Sequence, residues 1–303
     1  MTATTSERGG NWGRWGSEDE RGALNLLTDD AVLAATRMCK TGKLYRLGLP
    51  IDRVGGPLLD YRGTPQRLTL SSQTDGRRNA MYGAAPGVGA NEDVLVLASH
   101  TLTHIDAFSH VFGDDKFYNG FSNDEFASYG GAARCGIEKL NSFAGRAVLL
   151  DLPHHQSVDW LELGHIITGD ELEACRASQG VEISSGDIVL IRTGFLDFFF
   201  ALETGTPMPF EQAGIGVDAA KWLAARDVAA VGADNSAVEA IPFDGNEFLA
   251  VHLELLVQGG ITLMEHLDLR EMASDGCYEA LLVVAPLPVV GATGSPINPV
   301  AIG

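Results

Sequence analysis

Basic residues are scarce in this chain. Its 303 residues hold 21 Lys and Arg against 40 Asp and Glu, a formal charge of −19. That balance repels a phosphate backbone, so nucleic acid is excluded as a partner and the acidity is assigned to solubility. Cysteine is sparse too: Cys39, Cys135, Cys175 and Cys277 stand far apart and form no CxxC pair. Scattered thiols of this kind predict reduced cysteines in a cytoplasm rather than a disulfide frame. No apolar run approaches the roughly 20 residues of a membrane span. Met1 to Gly10 is polar and small, without an apolar leader. Internal repeats and domain linkers are also lacking. With 45% hydrophobic residues, the expectation is one cytoplasmic globular domain with a large core.

What the chain does have is histidine concentrated in one place. In Ser99-His100-Thr101-Leu102-Thr103-His104-Ile105-Asp106-Ala107-Phe108-Ser109-His110, three of eight histidines and an aspartate fall together. On a helix, at about 100° per residue, His100 and His104 would be neighbours while Asp106 and His110 would turn away. On an extended chain all four project to one side. A straight strand would still part the Cα atoms of His100 and His104 by roughly 13 Å. Metal bonds near 2 Å do not tolerate that spread. If these residues share an ion, the backbone must curl between positions 100 and 106. Two imidazoles and a carboxylate suit Zn²⁺, Mn²⁺ or Fe²⁺. His110 is left as a fourth ligand or as a nearby acid/base.

Around this stretch the pattern is that of an α/β domain. Residues 1–16 form an arm carrying Trp12 and Trp15, which are costly to leave wet and so are expected against the body or a partner subunit. Thr28 caps a helix through Met38 that Gly42 ends, and Leu44 to Ile51 reads as a strand. Residues 52–92, rich in Gly, Pro, Asp and Arg, read as irregular structure with short strands such as Arg67 to Ser71. The apolar run Val94 to Ala98 reads as a buried strand leading into the histidines. Further on, strands are expected at Arg146–Leu150, Ile188–Thr193, Val228–Gly232 and Ala280–Ala285. Helices are expected from Asp170 to Ser178, opened by a Thr168/Glu171 capping box, from Asp218 to Ala225, and from Asn246 to Val257. Alternation of this kind indicates a single domain, residues 17–303, with a mixed sheet flanked by helices.

The histidine stretch resembles the signature His-x-Gly-Thr-His-x-Asp-x-Pro-x-His of the metal-dependent cyclase family, which includes bacterial kynurenine formamidase and isatin hydrolase. Trp15 to Asn25, Leu190 to Gly194, and the region from His252 to Glu265 add to the likeness, which runs from about Trp12 to Asp268. The resemblance implies a swivelling β/β/α fold, with His100, His104 and Asp106 as metal ligands and His110 as catalytic acid/base. It further implies that His252 and Glu265 complete the metal centre and that the chain forms homo-oligomers. The residues themselves are compatible with the last pair of ligands. His252 falls on the apolar face of its expected helix, and Glu265 follows the apolar run Ile261 to Met264, where a carboxylate needs a partner or an ion. Leu102 and Phe108 depart from the glycine and proline of the signature, which bears on substrate rather than on metal. His154, His155, His165 and His266 are read as non-ligands, His266 standing beside the site.

These readings converge on an enzyme that cleaves a carbon–nitrogen bond of a small amide, arylformamidase-like or acting on a lactam. A Zn²⁺ or Mn²⁺ ion would activate water and polarise the carbonyl, and His110 would pass the proton to the leaving nitrogen. Two alternatives stay open. One is a non-haem Fe(II) oxygenase built on a two-histidine, one-carboxylate triad; the other is a non-catalytic metal- or ligand-binding protein. Within the family, ring closure or isomerisation also remains compatible with the same residues.

Overall fold

The computed structural model describes residues 10–303, so the first nine positions of the expected arm lie outside the described residues. Nine strands line up in one curled mixed sheet. Their order is Leu44–Arg46, Val300–Ile302, Glu279–Val284, Phe143–Asp151, Ile188–Arg192, Ala230–Ala233, Thr262–Glu265, His104–Asp106 and Gly294–Pro296. The four strands from Phe143–Asp151 to Thr262–Glu265 are mutually parallel. Their near-continuous apolar sequences, such as Ala147 to Leu150 and Ile188 to Ile191, are buried throughout, as strands covered on both faces require. Helices Asp29–Ala35, Gly169–Gln179 and Val217–Ala224 flank the sheet. The molecule is a single α/β domain, and its parallel centre differs from the all-β jelly roll that goes with the oxygenase alternative.

Local signals account for several boundaries. Thr28 accepts from Ala31 N at the start of its helix, and Thr168 with Glu171 forms the reciprocal capping box. The described part of the N-terminal segment lies against the body. Trp12 Nε1 donates to Val257 O at 2.7 Å, and Arg14 pairs with Asp227. The Asp19–Asn25 stretch is an anchor. Asp19 accepts from Gly22 N, Asn25 Nδ2 and the Tyr118 hydroxyl. Gly22 takes φ +57 where a Cβ would lie 2.2 Å from Gly260 O, so only glycine fits.

Three expectations fail. The run Val94 to Ala98 is not a buried strand: Glu92–Val96 pairs only with Gln66–Ser71, in a separate ribbon whose Leu68, Leu70, Leu95 and Val96 are exposed. An apolar run without periodicity does not say what covers it. The helix expected from Asn246 to Val257 is shorter and broken. A single turn at Asp244–Asn246 is followed by Leu249 at φ +56, then by helix Ala250–His252 and a π-helical turn at Leu253–Gln258. The strand after Leu44 also ends early, at Arg46.

Candidate metal centre

The curl required by the spacing occurs at Ser99 to Thr103, where Leu102 takes φ +52. The chain then enters the sheet as His104–Asp106, between Thr262–Glu265 and Gly294–Pro296. Positions 104 and 106 therefore point to one face. The antiparallel register sets His104 opposite Glu265, so their side chains share that face. Short cross-links hold the frame: Thr262 Oγ1 donates to Asp106 O, and Thr103 Oγ1 donates to His266 O.

His252 arrives from the helix Ala250–His252. Phe248, four residues earlier, is exposed and outside that helix, so the continuous apolar face expected for Asn246–Val257 does not form, although His252 is buried. Its Nδ1 is bonded to Glu239 Oε1 at 2.5 Å, and its Nε2 lies 3.6 Å from both Asp106 Oδ2 and Glu265 Oε1. Glu239 was missed in the sequence. A signal was present, because it interrupts the apolar run Ala237 to Ile241 as Glu265 follows its own. Its loop is fixed by buried polar contacts: Asn235 Nδ2 donates to Ala213 O and Glu239 O, and Ser236 donates to Gln212 Oε1.

All six sequence candidates come together, in two groups that share Asp106. The inner group is His104, Asp106, Glu265 and His252, with His104 Nε2 3.1 Å from Glu265 Oε2 and 3.7 Å from Asp106 Oδ1. In the outer group His100 Nδ1 meets Asp106 Oδ1 at 2.9 Å, and the rings of His100 and His110 stack 3.9 Å apart. His100 Nε2 is also engaged, with Thr293 Oγ1 at 3.0 Å. Both of its nitrogens have partners, whereas His104 in the inner group is bonded only through Nδ1, to Leu102 O. His154, His155 and His165 lie elsewhere, the last two held by Ser178 and Glu171.

Three buried atoms of the inner group, His104 Nε2, Asp106 Oδ2 and Glu265 Oε2, have no hydrogen-bond partner. Buried polar atoms are normally satisfied. One nitrogen and two carboxylate oxygens left orphaned side by side are a donor set suited to a divalent cation. The ligating atoms of His104, Asp106 and Glu265 fall within 4.8 Å of one another, as do those of His100, Asp106 and His110.

Burial and mutual charge set the protonation states. Burial would raise Asp106, but His110, His100 and His252 around it hold it well below the usual carboxylate value. Glu265, also opposed by burial, is pulled to about 2 chiefly by His104. Burial would lower His104 and His252, yet Glu265 lifts the first and Asp106 with Glu239 lifts the second. His110 goes the other way: burial takes it to about 3, despite Asp106. The cluster thus offers anionic carboxylates beside an imidazole that is neutral at physiological pH.

A family described as putative cyclase matches residues 45–240. Cyclase-like protein 3 of Oryza sativa subsp. japonica is 32% identical over 213 residues, 70% of this chain and 66% of that protein. The chain therefore spans just under two thirds of that relative. A crystal structure described as a novel cyclase aligns with a TM-score of 0.88 at 34% identity, over 100% of both chains. Isatin hydrolase A from Labrenzia aggregata shares the fold, with a TM-score of 0.60 at 18% identity over 86% of this chain and 93% of that one.

Proposed function

The chain belongs to the putative cyclase family, and we propose that it is a metal-dependent hydrolase of a carbon–nitrogen bond in a small amide, linear like a formamide or cyclic like a lactam. The observation that carries this reading is the convergence of the orphaned His104 Nε2, Asp106 Oδ2 and Glu265 Oε2. In it, His104, Asp106, Glu265 and His252 hold a divalent cation, Zn²⁺ or Mn²⁺, with His100 at its outer edge. When bound, such an ion supplies Lewis acidity toward water and toward a carbonyl oxygen.

His110 is the acid/base. It is the partly exposed member of the cluster, and its ring is neutral because burial lowers it to about 3. It takes a proton from the attacking water and returns it to the departing nitrogen. His100, stacked on it, fixes the plane of the ring. The fold shared with isatin hydrolase supports hydrolysis as the reaction class. The reading includes a cytoplasmic location, consistent with four unpaired cysteines, and no described helix is long and apolar enough to cross a membrane. It also includes homo-oligomerisation through the exposed ribbon.

The deciding experiment is elemental analysis of the purified chain, then assays on N-formylkynurenine, isatin and simple lactams with and without chelator. Cleavage of one of these amides that a chelator abolishes and added Zn²⁺ or Mn²⁺ restores is the expected outcome. Stoichiometric metal with no amide cleaved across the panel would sink the hydrolase assignment.

A further inference from the structure

Residues 50–97 form an excursion from the body, and both of its roots lie at the histidine stretch. It leaves after Leu49, whose N–H donates to Thr103 Oγ1 at 2.9 Å, and it returns through Ala98 and Ser99 into His100. Inside it the hydrogen bonds are local. They hold the ribbon of Gln66–Ser71 with Glu92–Val96, the turn Asp60–Arg62 and the short helix Gly76–Met81. Its ion pair, Arg67 with Asp93, is internal as well. Among the described residues, one hydrogen bond joins this excursion to the rest of the chain: Arg62 Nη1 donates to the backbone carbonyl of His100 at 2.5 Å. A segment with so few external bonds opens at a lower free energy than the body unfolds.

Its packing against the body is confined to one seat. Leu58 packs on the cluster of Leu49, Leu102, Phe195, Leu196 and Phe199. Gly56 rests on Leu102, where a Cβ would lie 2.7 Å from Leu102 Cδ2, and Pro57 is buried between them in sequence. Away from this seat Tyr61, Leu68, Leu70, Met81 and Tyr82 are exposed. Gly55 and Gly63 frame the seated segment, at φ +90 and +71 with open space around them, and give it two points about which to swing.

The pocket beneath is nearly shut. Pro57, Leu58, Leu59 and Arg62 face His100, Thr101, Leu102 and His266 across ≈ 10 Å³, which is room for one water. His100 in turn stacks on His110 and bonds to Asp106. A ligand larger than water therefore reaches His100 from this side only when the segment lifts.

We propose that residues 50–97 are a hinged flap over the His100 side of the metal centre, with Arg62 as its latch on the His100 carbonyl. The flap rests on the metal centre and not on the hydrolase assignment. Since the latch grips the backbone of a residue at the edge of the centre, the open flap is the state through which an ion or a small molecule passes on this side.

The test places a thiol beneath the flap and measures how often it opens. Thr101 lies in the pocket wall, 3% exposed, and Thr101→Cys is close to it in size. In the full, chelated chain carrying that change, the rate at which iodoacetamide labels the introduced thiol, read by peptide mass spectrometry, follows the open population. Adding Arg62→Gln removes a hydrogen bond from a charged donor and should speed labelling about tenfold. Arg62→Lys should speed it less, and Arg53→Gln, at an exposed arginine of the same flap, not at all. Cys135 and Cys175, buried in the body, should keep their slow rates. Equal labelling with and without Arg62→Gln overturns the latch, as does an acceleration that Cys135 and Cys175 share, which is global unfolding.

Metal release separates a flap over the metal centre from a cover for the pocket alone. With Thr101 intact, Zn²⁺ should pass to a chromophoric chelator about tenfold faster from Arg62→Gln than from the parent. An unchanged transfer rate overturns the link to the metal centre. Both readouts work in a chain that cleaves no amide, so loss of the hydrolase reading would leave the flap standing.

Discussion

Leu102 occupies the left-handed region at φ +52, where a residue with a Cβ is disfavoured by roughly 1–2 kcal/mol. The signature's glycine would be free of that strain. The leucine side chain is buried in a small cluster with Leu49, Phe195, Leu196 and Phe199, and burying a leucine contributes roughly 1.5–3 kcal/mol, enough to offset the strain. Phe108, the other departure, lies 5.0 Å from the Tyr118 ring in the core and away from the pocket, so of the two only Leu102 bears on ligand shape. His110 is where chemistry and scaffold separate. Its ring has no hydrogen bond to the ligand carboxylates, unlike His100, so His110→Ala should keep metal content while turnover falls about 10²–10⁴-fold. Metal analysis beside kcat checks this, and a fully active variant removes the assigned role. His104 and Asp106 were legible because side-chain direction along an extended chain follows from parity; His100 and His110, in the curl before the strand and the turn after it, were legible only from their nearness in the sequence and their ligand chemistry. Thr293 was not, since nothing local ties it to a histidine 193 residues away.

At the scale of elements, the site is built by two neighbouring strands, His104–Asp106 and Thr262–Glu265, by the loops beside the first of them and by one interrupted helix. The first strand could be read from His104 and Asp106. The helix could not, because the π turn at Leu253–Gln258 and the left-handed Leu249 leave no trace in apolar spacing. That break delivers His252 to Glu239, whose carboxylate accepts from Nδ1–H and leaves Nε2 facing the cluster. Glu239→Ala should therefore weaken metal binding about 10–100-fold, with Glu239→Gln in between. Competition with a chromophoric chelator measures it, and an unchanged dissociation constant would reduce Glu239 to packing. The ribbon of Gln66–Ser71 and Glu92–Val96 makes the opposite case, since its apolar residues were legible and their exposure was not. An isolated two-stranded ribbon is marginal in water, and exposed apolar patches mark contact surfaces. Residues 51–97 carry five acids and five arginines, in a chain whose total is −19, so in the proposed homo-oligomer two copies would meet at this surface without net repulsion. Leu68→Asp and Leu95→Asp should each lower the mass measured by light scattering toward one chain. A parent that is already monomeric ends the idea.

For the whole molecule, the buried cluster makes stability a function of pH and metal together. His110 and His266 are lowered by burial to about 3 from 6.5, and His100 is lowered as well. Below about pH 6.5 the unfolded chain takes up protons that these folded rings refuse, so stability falls on acidification, by up to about 1.4 kcal/mol per pH unit for each ring. Asp106 and Glu265, held below 3.8 and 4.5, act in the same direction. Their contribution is present above those values and is lost as pH falls through the folded ones. His104 and His252 are held above 6.5 by their carboxylates. What they contribute is complete below 6.5 and is lost as pH rises through their folded values. The chelated protein should therefore have its highest thermal midpoint near pH 6.5 and lose stability on both sides. Metal binding needs the imidazoles deprotonated and adds stability only to the folded chain, so saturating Zn²⁺ or Mn²⁺ should remove the alkaline decline while leaving the acid one. Thermal unfolding between pH 4.5 and 8.5, with chelator and with metal, reads both limbs. A chelated protein whose midpoint keeps rising from pH 6 to 8.5 would mean that His104 and His252 are not held protonated by Glu265, Asp106 and Glu239, and that the carboxylate cage is looser than its geometry.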